Sequence, residues 1–250
     1  MTGEKAYIVS VVRDDTMYRR CIGENPCCDG LEKVVMDNRS ENLGIPQRCN
    51  QFIDSLAEDG WVVFCHEDWM PLEPLLPRLE TLDRNCLWGP VGAKMECCPN
   101  ADFIHISGCI QQCRKNGRGL HWNRGTWKGD ETDTFDCQCV IVHSRLLREE
   151  GLCFDEKLPF DLYAEDFCAS AWLKGFPSRI VPLVCRHYSG GCVTPRFFQG
   201  LEYLREKYRD CPKRFPSPVG RRNSFGGIQH KPIYNYRRTP QARFRYFCKR

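Results

Sequence analysis

Apolar runs and amphipathic segments alternate along the first third of the chain. Continuous apolar runs rich in β-branched residues occupy residues 6–12, 31–37 and 61–68, and the last two end in acidic residues. Such runs are typical of strands that are buried on both faces of a parallel sheet. Between the second and third runs, apolar residues recur at helical spacing, which predicts a helix over residues 44–60. Strand, crossover helix and strand in this order predict βαβ units and an α/β fold.

Beyond residue 70 the pattern predicts further helices and strands. A proline-initiated helix is predicted over residues 71–84, and a second helix within residues 160–175, opening on Glu165 and Asp166. The predicted strands cover residues 87–94, 103–113, 134–144 and 178–191. Together these elements predict a central, mostly parallel sheet flanked by helices within residues 1–204.

Polar side chains occur where the predicted strands end. Asp37 follows the second strand, and His66, Glu67 and Asp68 follow the apolar part of the third. In open α/β sheets, ligands bind at the carboxyl ends of the strands. Oxygen ligands at that edge suit Mg²⁺ or Mn²⁺, and a histidine among them favours Mn²⁺. The alternative for each acid is an ordinary turn or helix cap.

Three candidates lie later in the chain. Glu165 and Asp166 begin a predicted helix, where two carboxylates would also suit the helix dipole without any catalytic role. His187 ends the last predicted strand and could equally be a surface histidine. The sequence therefore leaves a catalytic and a structural interpretation open for all three.

Eighteen cysteines are present, yet no Cys-x-x-Cys pair occurs. Structural zinc sites usually draw on such closely spaced pairs, so zinc is the less favoured alternative. We expect mostly reduced thiols that pack as small apolar side chains. The first fifteen residues lack the apolar region of a signal peptide, and no apolar run is long enough to span a membrane, which predicts a cytoplasmic protein.

The charge is unevenly distributed. Residues 205–250 contain 14 Lys or Arg and two acids, which leaves 22 basic and 30 acidic residues in the rest of the chain. This extension could contact an anionic membrane surface, nucleic acid or the acidic body of the protein itself. Nucleic acid is the less favoured of these partners.

The order of these elements resembles that of the GT-A fold glycosyltransferases, and of family 2 in particular. The resemblance runs from about residue 6 to residue 191 and is carried by the segments VVMDNRSENLGIPQRCNQFI, WVVFCHEDW, DTFDCQCVIVHSRLLREEGLCFDEKLPFDLYAEDFCASAWLKGF and CRHYSGG. It implies a Rossmann-like GT-A domain with a nucleotide-binding half of about residues 1–95 and an acceptor half of about residues 96–204. Residues 205–250 would form a basic, irregular C-terminal extension.

The resemblance also implies roles for individual residues. The implied donor-binding residues are Arg13, Asp37, Asn38, His66 and Glu67. Asp68 would be the principal ligand of Mn²⁺ or Mg²⁺ at the donor diphosphate, and His187 would complete the metal shell or contact the phosphates. Asp166 would be the base that deprotonates the acceptor hydroxyl, with Glu165 beside it. His66 stands where the family has the first acid of its metal motif, so ligation by His66 is left open.

The predicted function is that of a metal-dependent, inverting glycosyltransferase. It would move a sugar from a nucleotide-sugar donor, most simply a UDP-sugar, to a hydroxyl of a glycan or glycoconjugate. The alternative is a catalytically silent GT-A-like protein that binds nucleic acid or an anionic membrane surface through its basic extension. A nucleotidyltransferase is less favoured, because the residues after the first strand contain no glycine-rich phosphate loop.

Overall fold

The computed structural model describes residues 4–97, 102–114, 116–118, 121–124, 130–189, 193–219 and 223–227. The strands are β1 (Lys5–Val12), β2 (Glu32–Asp37), β3 (Gly60–His66), β4 (Trp69–Pro71), β5 (Leu87–Gly89), β6 (Val91–Cys97), β7 (Asp102–Gln112), β8 (His121–Arg124), β9 (Glu131–Thr132), β10 (Thr134–Phe135), β11 (Cys139–His143), β12 (Ser178–Ile180), β13 (Cys185–His187), β14 (Arg214–Pro216) and β15 (Ser224–Gly226). The helices are α1 (Asp15–Tyr18), α2 (Ile45–Ser55), α3 (Leu76–Leu79), α4 (Ser144–Arg148), α5 (Tyr163–Leu173) and α6 (Pro195–Lys207), with a π-helical turn over Arg19–Gly23 and a 3₁₀ turn over Pro26–Cys28.

Seven strands form the central sheet in the order β2-β1-β3-β11-β5-β12-β9. Strands β2, β1, β3, β5 and β12 run in one direction, while β11 and β9 run in the other. The predicted α/β class with a mostly parallel central sheet is therefore confirmed. A second sheet has the order β10-β6-β7-β13-β4, with β8 paired to β7, and β14 and β15 form a separate hairpin.

The central sheet is buried on both faces, which explains the continuous apolar runs of its strands. Tyr7, Val9 and Val11 of β1 pack in a core that includes residues of α2, α5 and α6. Ala6 and Ile8 point to the opposite core, which includes residues of α1, the π-helical turn and α3. The period of two along a strand distributes these side chains between the two cores.

Buried cysteines contribute to both cores. Cys49, Cys168 and Cys211 lie in the first core, and seven further cysteines lie in the second. The seven are Cys21, Cys28, Cys65, Cys86, Cys113, Cys139 and Cys185. Burial raises the pKa of thiols such as Cys21 and Cys28 to about 12, so these thiols stay protonated and pack as small apolar groups.

Four predicted elements are wrong in extent. The strands predicted over residues 87–94 and 134–144 are each divided between the two sheets, into β5 and β6 and into β10 and β11. The helix predicted over residues 71–84 is reduced to the single turn α3, because the prolines at 71, 74 and 77 remove backbone donors and restrict the residues before them. The strand predicted over residues 178–191 is divided into β12 and β13, which belong to different sheets. Pro182 lies between them and cannot donate a hydrogen bond to a ladder.

The first part of the basic extension is folded against the domain. Helix α6 runs through the expected boundary at residues 204 and 205, and the β14–β15 hairpin follows it. Phe215 and Phe225 of this hairpin are buried in the core with α5 and α6, and Thr134 Oγ1 donates a 2.6 Å hydrogen bond to the Pro216 carbonyl oxygen. The prediction of an irregular basic tail now concerns residues 228–250, which lie outside the described residues.

Within the described part of the chain, no helix has the length and apolarity needed to cross a bilayer.

Replacing Phe215 by alanine tests whether the hairpin belongs to the fold. Phe215 is fully buried, with ring centroids 5.5 Å from Phe225 and 5.7 Å from Trp172. We expect Phe215→Ala to lower the free energy of unfolding by about 3–5 kcal/mol in urea denaturation, because it leaves a cavity. Phe198→Ala, at a 53% exposed site on α6, is the matched control and should cost less than about 1 kcal/mol. Equal losses would show that the hairpin is not part of the core.

Candidate functional site

The carboxyl ends of β1, β2 and β3 lie side by side at one edge of the central sheet. In the strand register Val12 is opposite Asp37, and Val11 is opposite His66. Arg13 directly follows β1. The fold therefore brings Arg13, Asp37 and His66 to neighbouring strand ends, although they are far apart in sequence.

His66, Asp68 and His187 form a compact group, named here the metal cluster. His187 Nε2 lies 3.3 Å from Asp68 Oδ1, and His66 Nδ1 lies 3.9 Å from the same oxygen. One potential ligand atom from each residue lies within 4.8 Å of the other two. Among the described residues, this is the only group of three His, Cys, Asp or Glu side chains that meets this spacing. The spacing fits a single divalent cation.

Pairing between β4 and β13 brings His187 to the end of β3. Trp69 of β4 is opposite His187 of β13, and the backbone N–H of Tyr188 donates a 3.0 Å hydrogen bond to the carbonyl oxygen of Asp68. Asp68 lies in the turn between β3 and β4. The short strand β4 thus holds two distant parts of the chain in one site.

The Nδ1 atom of His66 faces Asp68, and a hydrogen bond at the opposite ring nitrogen, Nε2, orients the ring. The hydroxyl of Tyr163 donates to the carbonyl oxygen of Cys137 and lies 3.0 Å from His66 Nε2. Because the hydroxyl proton is already committed, a neutral His66 must donate from Nε2, which leaves the lone pair of Nδ1 directed towards the side of Asp68. An outer hydrogen bond of this kind is typical of metal-binding histidines. The geometry is compatible with His66 as a ligand, and ligation by His66 stays a prediction.

The ring nitrogens of His187 are buried and without a hydrogen bond in the described structure, which suits a metal ligand. The side chain is buried, and neither ring nitrogen makes a hydrogen bond with a described residue; the approach of Asp68 is an ion-pair contact. Burial lowers the pKa of His66 more than Asp68 raises it. Burial acts the same way on His187, but there Asp68 outweighs it and the pKa is raised. Two imidazoles and one carboxylate are a donor set that favours Mn²⁺ over Mg²⁺.

Glu67, between the two cluster residues, supports the backbone. Its Oε2 accepts hydrogen bonds from the backbone N–H groups of Arg13 at 2.6 Å and Asp14 at 2.8 Å. Asp14 in turn caps α1 through a 3.1 Å bond from Met17 N. Glu67 therefore shapes the turn after β1, and direct donor binding by Glu67 stays a prediction.

Asp37 and Asn38 hold the loop after β2. Two hydrogen bonds from the Arg39 side chain are the main reason why the pKa of Asp37 falls to about 2, so its carboxylate is charged. The buried amide of Asn38 bridges the loop, since Nδ2 donates to the Leu43 carbonyl and Oδ1 accepts from Leu43 N. Asp37 thus keeps an exposed charge at the site edge, whereas Asn38 is used structurally.

Glu165 is fully buried on the first turn of α5. Its Oε1 accepts a 2.8 Å hydrogen bond from Ser217 Oγ, and its Oε2 accepts from Cys137 Sγ at 3.3 Å. Burial is the largest influence on this carboxyl group and raises its pKa to about 7. Because the carbonyl of Cys137 also accepts from Tyr163, Glu165 is connected to the metal cluster through two intervening residues.

Asp166 faces a different set of neighbours. Lys207 Nζ lies 2.7 Å from Asp166 Oδ1, and the Tyr208 hydroxyl donates to the same oxygen at 2.8 Å. Both partners come from α6 or the residue after it. Burial raises the pKa of Asp166 although Lys207 opposes this effect. The carboxylate thus joins α5 to α6.

Two polar residues before β11 also lie near the site, and the sequence pattern did not predict them. Asp136 is half-buried, and its carboxylate makes no hydrogen bond or ion pair with a described residue. Burial is the largest influence on the pKa of His66, His187 and Glu165, and the negative charge of Asp136 acts to raise the pKa of each of them. Asp136 therefore lies close to the site. Gln138 is fully buried, and both polar atoms of its side-chain amide are unpaired in the described structure, while its backbone carbonyl oxygen accepts a 3.0 Å hydrogen bond from His66 N. The only available signal was two polar residues at the start of an apolar strand.

Comparison with solved structures identifies the architecture. The chain superimposes on GalNAc-T7, solved with UDP, GalNAc and Mn²⁺, with a TM-score of 0.53 and 12% identity over 84% of this chain. The chain has a GT-A-like fold. The match covers 49% of GalNAc-T7, so the chain spans about half the length of that protein.

More distant likenesses carry no further weight. S. aureus TarS 1–349 in complex with UDP aligns with a TM-score of 0.47 and 13% identity, over 83% of this chain and 66% of that one. The inositol-1-phosphate CTP transferase from T. maritima aligns with a TM-score of 0.35 and 12% identity, over 78% and 74%. No protein-family model and no curated protein sequence matches the chain.

Removing a cluster ligand should weaken Mn²⁺ binding. We expect isothermal calorimetry to detect one Mn²⁺ per chain, and Asp68→Asn or His187→Ala to weaken this binding at least about 10-fold, since loss of a mere outer-shell partner of a ligand already costs about 10–100-fold. Asp37→Asn is the matched control, since it removes an exposed carboxylate at the same sheet edge but outside the cluster. Equal Mn²⁺ affinity in all four proteins would contradict the metal assignment.

The raised pKa of Glu165 predicts a pH-dependent stability. Between pH 4.5 and about 7 the folded chain keeps a proton that the unfolded chain has released. The free energy of unfolding should therefore fall by about 3 kcal/mol as the pH rises through this window. Glu165→Gln removes the titration, so urea unfolding at pH 5 and pH 7.5 should show a correspondingly smaller fall for the variant. An identical pH dependence in both proteins would refute the shift.

Proposed function

We propose that the chain is a metal-dependent, inverting glycosyltransferase that uses a nucleotide-sugar donor. The observation that carries the proposal is the metal cluster at the strand-end edge of a GT-A-like fold. The acceptor would be a hydroxyl of a glycan or glycoconjugate. UDP is the proposed nucleotide and Mn²⁺ the proposed metal, because GalNAc-T7, with the same fold, was solved with both.

The cluster residues would hold the cation through His66 Nδ1, Asp68 Oδ1 and His187 Nε2. A bound divalent cation supplies neutralisation of the charge that grows on the diphosphate as the glycosidic bond breaks. Tyr163 keeps the His66 ring in place, and the β4–β13 pairing keeps Asp68 and His187 together. These contacts preorganise the site, so that little reorganisation is needed when the donor arrives.

Nucleotide binding is proposed for the neighbouring strand ends. Arg13 and the charged carboxylate of Asp37 are exposed at the ends of β1 and β2, where they could contact the base or ribose. Asn38 and Glu67 would contribute indirectly, by holding the loops that carry these two residues. We include Asn38 and Glu67 in the donor site on this basis.

A carboxylate on α5 is the proposed base. The acceptor oxygen forms a bond to the anomeric carbon while the carbon–oxygen bond to the diphosphate breaks, and the leaving diphosphate keeps the electron pair. The acceptor proton passes to the carboxylate, and attack from the face opposite the leaving group inverts the anomeric centre. We favour Glu165 over Asp166, because Glu165 is connected to the metal cluster and its pKa of about 7 suits a base at neutral pH.

Donor turnover tests the function as a whole. Incubation with UDP-sugars and Mn²⁺ should release UDP, slowly to water and faster with a suitable acceptor, and EDTA should stop the release. A chain that binds UDP and Mn²⁺ without releasing product would favour the alternative, a silent GT-A-like protein. Contact of the basic residues 228–250 with an anionic membrane surface stays a prediction, which vesicle co-sedimentation would test.

Paired variants of α5 distinguish the two candidate bases. Glu165→Gln should reduce transfer at least about 10²-fold and leave UDP–Mn²⁺ affinity unchanged. Asp166→Asn should instead lower the free energy of unfolding by about 1–3 kcal/mol, because Lys207 and Tyr208 lose a charged acceptor, and should leave the transfer rate per folded molecule within about threefold. If Asp166→Asn abolishes transfer in a folded protein, Asp166 is the base. If neither variant affects transfer, neither carboxylate is.

A further inference from the structure

Two arginine side chains meet on one tyrosine hydroxyl beside the metal cluster. Arg20 Nη2 donates to the Tyr188 hydroxyl oxygen at 2.9 Å, and Arg186 Nη1 donates to it at 3.0 Å. Because both bonds end on the same oxygen, the two nitrogens lie within about 6 Å of each other. The Arg20 guanidinium carbon also lies 4.2 Å from the centroid of the Tyr188 ring.

The arrangement is held from several sides. Arg186 donates from Nε at 3.0 Å and from Nη2 at 2.7 Å to Gln111 Oε1, its opposite residue in the β13–β7 register. Tyr188 is buried, and its hydroxyl donates to Met70 Sδ at 3.8 Å, which leaves its oxygen free to accept from both arginines. The two guanidinium groups are thus positioned by fixed neighbours.

Neither arginine has an acidic partner in the described structure. Other arginines, such as Arg39 and Arg214, pair with nearby carboxylates, whereas Arg20 and Arg186 form ion pairs with no described acid. Two like charges this close repel each other unless an anion lies between them. Arg20 uses one of the five N–H groups of its guanidinium and Arg186 uses three, so both keep donors for a ligand.

The pair lies next to the metal cluster but is separate from it. Tyr188 N bonds the carbonyl oxygen of Asp68, and His187 lies between Arg186 and Tyr188 in the chain. Consecutive residues of a strand point to opposite faces, so Arg186 and His187 leave β13 in opposite directions. A ligand of the arginine pair would therefore not need the metal.

We propose that Arg20 and Arg186 form a binding site for a phosphate-class anion beside the metal cluster. Guanidinium groups bind phosphate oxygens through charged, paired hydrogen bonds, and two of them held together would neutralise a dianion. The phosphate could belong to the donor diphosphate or to a phosphorylated acceptor. Assignment of the phosphate to the donor rests on the proposed function, whereas anion binding by the arginine pair does not and can be tested without turnover.

Calorimetry with inorganic pyrophosphate in EDTA tests the site without metal. At low ionic strength we expect the native chain to bind pyrophosphate, and Arg20→Gln and Arg186→Gln each to weaken binding at least 10-fold. Arg19→Gln is the matched control, because it removes the same charge from an exposed neighbour, and it should stay within twofold of the native chain. Similar affinity in all four proteins, or an equal loss in Arg19→Gln, would overturn the proposal.

Two further arms make the result independent of folding and identify the source of the phosphate. If Arg186→Gln does not fold, the exposed Arg20 decides the outcome alone, with thermal unfolding as the check on folding. A loss of UDP–Mn²⁺ affinity in Arg20→Gln assigns the site to the donor, whereas unchanged UDP affinity with weaker glycerol phosphate binding assigns it to an acceptor. If Arg20→Gln keeps the native affinity for both UDP–Mn²⁺ and glycerol phosphate, the proposed site is wrong. Failure of the proposed function would appear separately, as absent Mn²⁺ binding in the native chain.

Discussion

The pairing of β4 with β13 is the constraint on which the site depends. It places His187 beside Asp68, although more than a hundred residues separate them in the chain, and it fixes Tyr188 on the backbone of Asp68. The same strand, β13, also pairs with β7, so the second sheet supports the strand that carries His187. A cation held there would sit where the carboxyl end of β3 meets the second sheet.

The acidic residues around the site have different roles, which their contacts distinguish. Glu67 accepts from two backbone N–H groups, Asp166 joins α5 to α6 through Lys207, and Asp68 contacts His187. Glu165 is buried with hydroxyl and thiol donors and has a pKa of about 7. Burial without a basic partner distinguishes Glu165 from Asp166, since a nearby lysine favours the charged form while burial alone disfavours it.

Local pattern predicted much of the fold, because strands buried on both faces have apolar runs that need no knowledge of their neighbours. The runs around Val9 and Val63 became β1 and β3, and the residues after β3 became part of the site. The local sequence pattern did not predict the features that depend on contacts between distant parts of the chain. Gln138 and Tyr188 acquire their roles only through strand pairing, and the β14–β15 hairpin is basic in composition yet contributes Phe215 to the core. Local sequence could not show which way Glu165 and Asp166 would face, because that depends on α6.

The central claim is that His66 and His187 share one cation with Asp68. Pulsed electron paramagnetic resonance on the Mn²⁺-loaded chain measures it most directly, because nitrogen nuclei bound to Mn²⁺ modulate the electron spin echo. We expect nitrogen modulation from two imidazoles in the native chain, and from one imidazole in His66→Gln and in His187→Gln. A Mn²⁺ signal without nitrogen modulation, or one unchanged in both variants, would contradict it.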